Sequence, residues 1–235
     1  MSKMDSYRYD LHVHSALSPC AENDMTPVTV VGKAMLDGLD FIAIADHNAI
    51  GSVEVALLAG REYGIKVVPA MELQTNEDIH ILCLFEKFEE LKAFYDEIDF
   101  GSLKNNKAIF GDQLIYDEDD NVVAEEERML LASANISSES VPELVKRHNG
   151  VAIPAHIDRE MNGMLQILGT VTEGFDTVEI SSRADENFVK EWSGKKRTVI
   201  DSDAHVLDDI STKGVIELEE YSVAALLDSL GRIKK

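Results

Sequence analysis

Phe41-Ile-Ala-Ile-Ala-Asp46-His47 is an apolar run that ends on two residues able to bind a metal or carry a proton. The same arrangement recurs along the chain. Tyr9–Val13 carries His12 and leads into His14, Ile65–Met71 leads into Glu72, Val151–Ala155 into His156, and Thr198–Ile200 into Asp201-Ser-Asp203-Ala-His205. Ile79–Phe85, Thr177–Ile180 and Val215–Leu218 complete the expected strands. Helix-like segments lie between them. Thr26–Asp37 has a capping threonine and a proline in its first turn, and Gly38 stops it. Further helices are expected over Ser52–Tyr63, Lys87–Ile98 and Ser222–Ile233. Ser140-Val-Pro-Glu143 has capping-box spacing ahead of a helix running to about His148. Alternating strands and helices predict an α/β fold.

The residues outside this rhythm bound the answer. A chain of 235 residues with 45% apolar content can bury a full core, so one domain over 1–235 is expected. Within it, 101–138 reads as a hairpin-plus-helix insertion. The net charge of -22 argues against broad attraction to nucleic acid or anionic membrane. A short oligonucleotide is the one nucleic-acid substrate left open. No run approaches a membrane span and MSKMDSYRYD lacks a signal-like apolar core, so a cytoplasmic protein without a membrane partner is expected. Oligomeric state is not legible. Two cysteines, Cys20 and Cys83, form neither a disulfide framework nor a Cys-x-x-Cys site, so any metal must be held mainly by His and carboxylates.

Six of the seven histidines sit at or beside expected strand ends: His12, His14, His47, His80, His156 and His205. His12 and His14 are two apart, so on an extended strand both rings reach one side, and Asp203 with His205 repeats that geometry. A lone H-x-H is as easily a core pair, and a lone Asp-His a helix cap. Several strand ends bearing His, Asp and Glu together would bury uncompensated charge unless cations were present. In an all-parallel barrel these ends would open on one face. His80 starts its strand instead of following it, and seven residues separate it from Glu72, too few for a parallel crossover. A hairpin-like return there would bring His80 back to the cluster and distort the barrel.

The chain resembles the PHP (polymerase and histidinol phosphatase) family of metal-dependent phosphoesterases. The matching pieces are His12-Val-His14-Ser15 with Ser18, Ala45-Asp46-His47-Asn48, Glu72, His80-Ile-Leu, Pro154-Ala-His156 and Asp201-Ser-Asp203-Ala-His205. The resemblance implies a distorted (β/α)7 TIM-like barrel with two or three divalent ions at the C-terminal face of the strands. It implies one ion on His12, His14, Glu72 and Asp203, and a second on Glu72, His80 and His156, with Glu72 bridging. His47 and His205 would belong to a third site, which in relatives also takes a His or Asp shortly after the H-x-H. Cys20 stands there in this chain, and its thiolate would favour a softer ion. Asp46 is expected to orient a histidine ligand through its other ring nitrogen.

Mixed imidazole and carboxylate donors suit Zn²⁺, Mn²⁺ or Fe²⁺ better than Mg²⁺ or Ca²⁺. The expected activity is hydrolysis of a small phosphomonoester by metal-activated hydroxide, with Glu72 and Asp203 central to the chemistry. Arg159 and Arg183 are expected to grip phosphoryl oxygens, and His205 or His47 to act as general acid if the third ion is absent. A phosphodiesterase or nuclease acting on small nucleotides or oligonucleotide ends is the alternative. A metal-binding scaffold without catalysis is a third reading.

Overall fold

A computed structural model describes residues 4–233. Its strands are β1 (Asp5–Val13), β2 (Phe41–Ile44), β3 (Lys66–Val67), β4 (Ala70–Gln74), β5 (His80–Leu84), β6 (Leu114–Tyr116), β7 (Val122–Glu125), β8 (Val151–Pro154), β9 (Thr177–Ser181), β10 (Arg197–Asp201) and β11 (Gly214–Leu218). The helices are α1 (Pro27–Leu36), α2 (Val53–Tyr63), α3 (Phe88–Tyr95), α4 (Lys107–Phe110), α5 (Val141–Arg147), α6 (Met164–Leu168), α7 (Glu186–Ser193) and α8 (Val223–Ser229). None is long and apolar enough to cross a membrane.

The strands form four ladders: β11-β1-β2-β3, β4-β5-β8, β9-β10 and the β6-β7 hairpin. Strands β1, β2 and β3 run parallel, as do β9 and β10. Two strands of the main ladders run against the rest, one of them where the hairpin-like return is expected. β5 runs antiparallel to both β4 and β8, pairing His80 with Gln74, and β11 runs antiparallel to β1. The short Glu72-to-His80 connection therefore does turn back on itself. The expected strand Ile65–Met71 is also divided, because Pro69 has no N–H to give a ladder and separates β3 from β4.

Local chemistry sets most helix ends. Thr26 Oγ1 accepts the Thr29 N–H to start α1, and Gly64 at φ 77° closes α2. Gly60 is required by close approach, since a Cβ there would lie 2.5 Å from Val67 Cγ2. The capping box at Ser140 does not form: Ser140 already has helical φ/ψ after a single 3-10 turn, and its hydroxyl bonds Ser137 Oγ at 2.8 Å. Two helices lie where none is expected from sequence, α6 and α7; the latter is capped by Asp185 and packs Phe188 and Trp192 against Val178 and Ile180.

The central core takes inward residues of successive strands, among them Leu11, Phe41, Val68, Leu82, Ile153 and Val199, and is floored by Leu226, Leu227 and Leu230. Outer layers pack α1 and α2 on Ile42 and Ile44, and α3 and α5 on Met71, Cys83 and Phe85. Each fully buried Phe or Leu contributes roughly 1.5–3 kcal/mol. Carboxylates join β1 to β10 where no ladder does: Asp201 Oδ1 accepts the Leu11 N–H at 2.6 Å, and Asp10 Oδ1 the Ser202 N–H at 3.0 Å. Segment 101–138 carries α4 and the hairpin, and Asn48 Nδ2 ties its return to the core by bonding the Leu130 and Ala132 carbonyls.

Candidate metal centre

His12, His14, His47, Glu72, His80, His156 and Asp203 converge at one end of the ladders and are all buried; His205 stands at their edge, partly exposed. Glu72 is the hub. Its Oε1 lies 3.2 Å from His12 Nε2, 2.9 Å from His80 Nδ1 and 3.1 Å from His156 Nε2, and its Oε2 lies 2.7 Å from His47 Nδ1. Asp203 Oδ1 is 2.9 Å from His14 Nε2 and 3.5 Å from His12 Nε2. Backbone bridges set this convergence. Val13 pairs with Ala204 and His47 with Glu72, so neighbouring strand ends deliver their side chains to the same place. His156 and Asp203 are turned inward by left-handed backbone, at φ 31° and 52°.

The donor set fits divalent cations. Six of its buried atoms, His12 Nε2, His14 Nε2, His47 Nδ1, Glu72 Oε2, His156 Nδ1 and Asp203 Oδ1, make no well-directed hydrogen bond, even where two of them lie 2.7–3.5 Å apart. Left unsatisfied, each such atom costs about 1–3 kcal/mol. Donor atoms of His12, His14 and Glu72 lie within 4.8 Å of one another, as do those of His47, Glu72 and His80, and those of His14, His47 and His205. His47 thus shares Glu72 with His80 as well as facing His205. Without cations, protons supply the countercharge. Burial opposes charge on His12 and His47, but Glu72 and neighbouring anions outweigh it, raising His12 well above its ordinary value and His47 to about 10. Burial likewise opposes charge on Glu72, yet the His80, His12 and His47 rings hold it far below the usual carboxylate range. Binding a cation would displace such protons.

A second layer aims the ligands. Glu179, fully buried on β9, accepts the His12 Nδ1 proton at 2.8 Å and the His156 N–H at 3.2 Å. That holds the ring so that its Nε2 faces Glu72 and Asp203, where a cation would displace its proton. Sequence reasoning missed Glu179; its signal was a lone carboxylate inside the apolar strand Thr177-Val-Glu-Ile180. Asp46 does not touch a histidine ring, contrary to expectation. It accepts from Ser15, Ser52 and Ser18, and Ser18 Oγ in turn accepts the His14 Nδ1 proton at 3.1 Å. Two hydroxyl-length steps therefore separate Asp46 from its histidine.

Above the cluster opens a cavity of about 660 Å³, lined by Cys20, Gln74, Leu131, Arg159, Met161 and Asn162 as well as by ligand histidines. Arg159 reaches in and bonds Asp203 Oδ2 through Nη1. Arg183 does not join it: its guanidinium pairs with Asp209 at 2.6 Å on the exposed surface, outside the cavity lining. Cys20 is exposed and lines the cavity with His205 and His47. Desolvation pushes its thiol up, but those two rings bring it down to about 7. Leu131 comes from the 101–138 segment, which thereby supplies part of the cavity wall.

The profile of the PHP domain matches residues 10–233. A 5'-3' exoribonuclease of Haemophilus influenzae is 34% identical over 84 residues, which are 34% of this chain and 30% of that protein. The lesion-specific endonuclease PfuEndoQ of Pyrococcus furiosus superposes with a TM-score of 0.70 at 17% identity, over 96% of this chain and 56% of its own. A proposed metal-dependent phosphoesterase of Bifidobacterium adolescentis superposes with a TM-score of 0.59 at 17% identity, over 86% and 89% of the two chains. The matched parts span less than two thirds of both the exoribonuclease and the endonuclease. With the whole His12-to-His205 cluster falling inside a match over nearly its full length, the chain belongs to the PHP domain family of metal-dependent phosphoric ester hydrolases.

Proposed function

We propose that this centre hydrolyses a small phosphomonoester using two or three Zn²⁺, Mn²⁺ or Fe²⁺ ions. The observation that carries the reading is the set of orphaned buried donor atoms gathered around Glu72 beneath an open cavity. His12, His14, Glu72 and Asp203 would hold one ion, and Glu72, His80 and His156 a second. Bound there, such ions lower the pKa of a coordinated water and polarise phosphoryl oxygens.

The chain's own residues supply the rest. Glu179 and Ser18 hold the Nδ1 atoms of His12 and His14, which leaves each Nε2 as the atom that would bind an ion in place of its own proton. Arg159 spends one guanidinium nitrogen on Asp203, which leaves its other N–H groups to bind the non-bridging oxygens of a phosphoryl group. Arg183 has no such role, given its surface pairing. His205 Nδ1 bonds the Asp203 carbonyl at 2.8 Å, so Nε2 is the atom it offers to the cavity, either as a ligand or as the proton donor to the leaving oxygen. With Arg159 as the one arginine or lysine among the lining residues, the cavity suits a single phosphoryl group better than a long polyanion.

The same reading takes 1–235 as one domain and its ladders as arcs of a distorted (β/α)7 barrel. Support comes from the Ile157 N–H to Glu179 carbonyl bond at 3.0 Å, which links β8 to β9, and from the Asp10 and Asp201 bonds between β1 and β10.

Cleavage of a phosphodiester at a nucleic-acid end is the second reading, favoured by the likeness to the exoribonuclease. Release of phosphate from monoesters and of mononucleotides from oligonucleotides, by the metal-stripped protein re-loaded with Mn²⁺, Zn²⁺ or Fe²⁺, separates the two. The panel holds nucleoside monophosphates, histidinol phosphate, nucleoside bisphosphates and short oligonucleotides. Monoester turnover is expected; oligonucleotide cleavage without it would establish the diester reading instead. Silence throughout, with metal bound, would leave a scaffold.

A further inference from the structure

The geometry points to Asp158 and Asn162 as positioning residues that clamp the loop carrying Arg159 to the two strands beside it and so hold its guanidinium ready for a phosphoryl group. The inference rests on the role given to Arg159 above and concerns what keeps that side chain in place. Arginine is rich in rotamers, and the Arg159 side chain, paired with Asp203, still has 35% of its surface exposed. Its aim is therefore only as fixed as the backbone it leaves.

β8 ends between β5 and β9: it ladders with β5, and the Ile157 N–H just after it bonds the Glu179 carbonyl of β9. The loop that follows is tied to both neighbours. Before Arg159, Asp158 Oδ1 accepts the Ser181 N–H at 2.8 Å and Oδ2 accepts the Ser181 hydroxyl at 2.6 Å, at the end of β9. After it, the Asn162 carbonyl accepts the His80 N–H at 3.0 Å, at the start of β5, and Asn162 Nδ2 donates to the Asp78 carbonyl at 2.8 Å. Asp78 is itself held, its Oδ1 accepting from Gln74 Nε2 at 3.1 Å and from the hydroxyl of Ser133 in the 101–138 segment.

The stretch between the two clamps has little slack. The Arg159 N–H bonds the His156 carbonyl at 2.9 Å, Asn162 takes left-handed backbone at φ 59°, and a Cβ on Gly163 would lie 2.5 Å from the Arg159 carbonyl oxygen. Both Asp158 oxygens accept from Ser181, so Asp158 acts on Arg159 through the backbone and not by an ion pair. A guanidinium displaced by about 1 Å would lose its two-pronged fit to phosphate.

The probe is inorganic phosphate, titrated by calorimetry into the Mn²⁺-loaded full chain, with bound manganese checked in every variant. Asp158→Ala, which deletes two bonds, and Asn162→Gly, which keeps the left-handed backbone and deletes one, should each weaken phosphate binding by about three- to tenfold. Asp158→Asn can still accept the Ser181 N–H and donate to its hydroxyl, so it should bind as the parent does. In an Arg159→Ala background neither Asp158→Ala nor Asn162→Gly should weaken binding further, the signature of residues that act through that arginine. A purely structural role would lower affinity equally with and without Arg159, and that result would overturn the inference. So would unchanged affinity in both single variants, an Asp158→Asn as weak as Asp158→Ala, or no loss in Arg159→Ala itself. Should Asp158→Ala not fold, Asn162→Gly carries the comparison. Turnover of p-nitrophenyl phosphate by the same samples keeps the two claims apart: the expected binding pattern without turnover would contradict the phosphomonoester reading and leave the clamp standing.

Discussion

Glu179→Gln tests whether a residue outside the ligand set controls the centre. The carboxylate accepts two protons at once, from His12 Nδ1 at 2.8 Å and from the His156 backbone N–H at 3.2 Å. Glutamine has the same shape but only one acceptor oxygen. If its oxygen faces His12, its NH₂ meets the His156 N–H, donor against donor. If its NH₂ faces His12, Nδ1 must become an acceptor, and the ring proton moves to Nε2, the atom that faces Glu72 and Asp203. Either way a ligand is lost or displaced. Removal of such a supporting group costs about 10–100-fold in metal affinity, or ~1.4–2.8 kcal/mol. Competition for Zn²⁺ against a chromophoric chelator, on protein whose circular dichroism matches the parent, measures it directly. An unchanged affinity in the folded variant would refute the claim that Glu179 holds the His12 ring in place for a cation.

Glu72→Gln removes the hub carboxylate, so turnover should fall by about 100-fold or more, and elemental analysis should show less bound metal; an unaltered rate would remove Glu72 from the mechanism. Arg159→Ala should raise KM for a phosphomonoester by about tenfold while metal content holds; an unchanged KM would show that its contact with Asp203 is its whole role. The Asp10 carboxyl is raised by burial from 3.8 to about 6, so the folded state holds its proton more tightly than the unfolded chain does. Its contribution is fully present below the unfolded value and is lost as pH rises through the folded one. Metal-free protein should therefore lose stability from this group between about pH 4 and pH 6, and denaturant melts of Asp10→Asn should lack that component. An identical pH profile in the variant would show that Asp10 does not titrate in this window.

Most of the candidate ligands were legible because they sit at or beside the end of a strand that an apolar run announces. The two-residue spacing of His12 and His14, and of Asp203 and His205, tells which side chains share a side before any tertiary contact is known. The antiparallel return of β5 followed from the short gap between Glu72 and His80. What stayed hidden depends on contacts between distant segments. Glu179 meets His12 across 167 positions, so its place inside an apolar strand marks it as unusual without telling which residue it serves. Asp46 works through Ser18 because the β1–α1 loop folds its hydroxyl between carboxylate and ring, which spacing does not encode. Arg183 follows a cluster strand as Arg159 follows His156, yet its loop delivers it to Asp209. The joining of β1 to β10 by Asp10 and Asp201 was invisible for a similar reason: side chains there replace backbone pairing, and period-two patterning reports only the latter.

The most direct test of the account is to titrate metal-stripped protein with Mn²⁺, Zn²⁺ or Fe²⁺ while following bound metal and phosphate release together. The account predicts no turnover without metal, and a rate that rises with occupancy of the Glu72-centred positions. Phosphoester hydrolysis that continues at full rate in protein shown to be metal-free would contradict it.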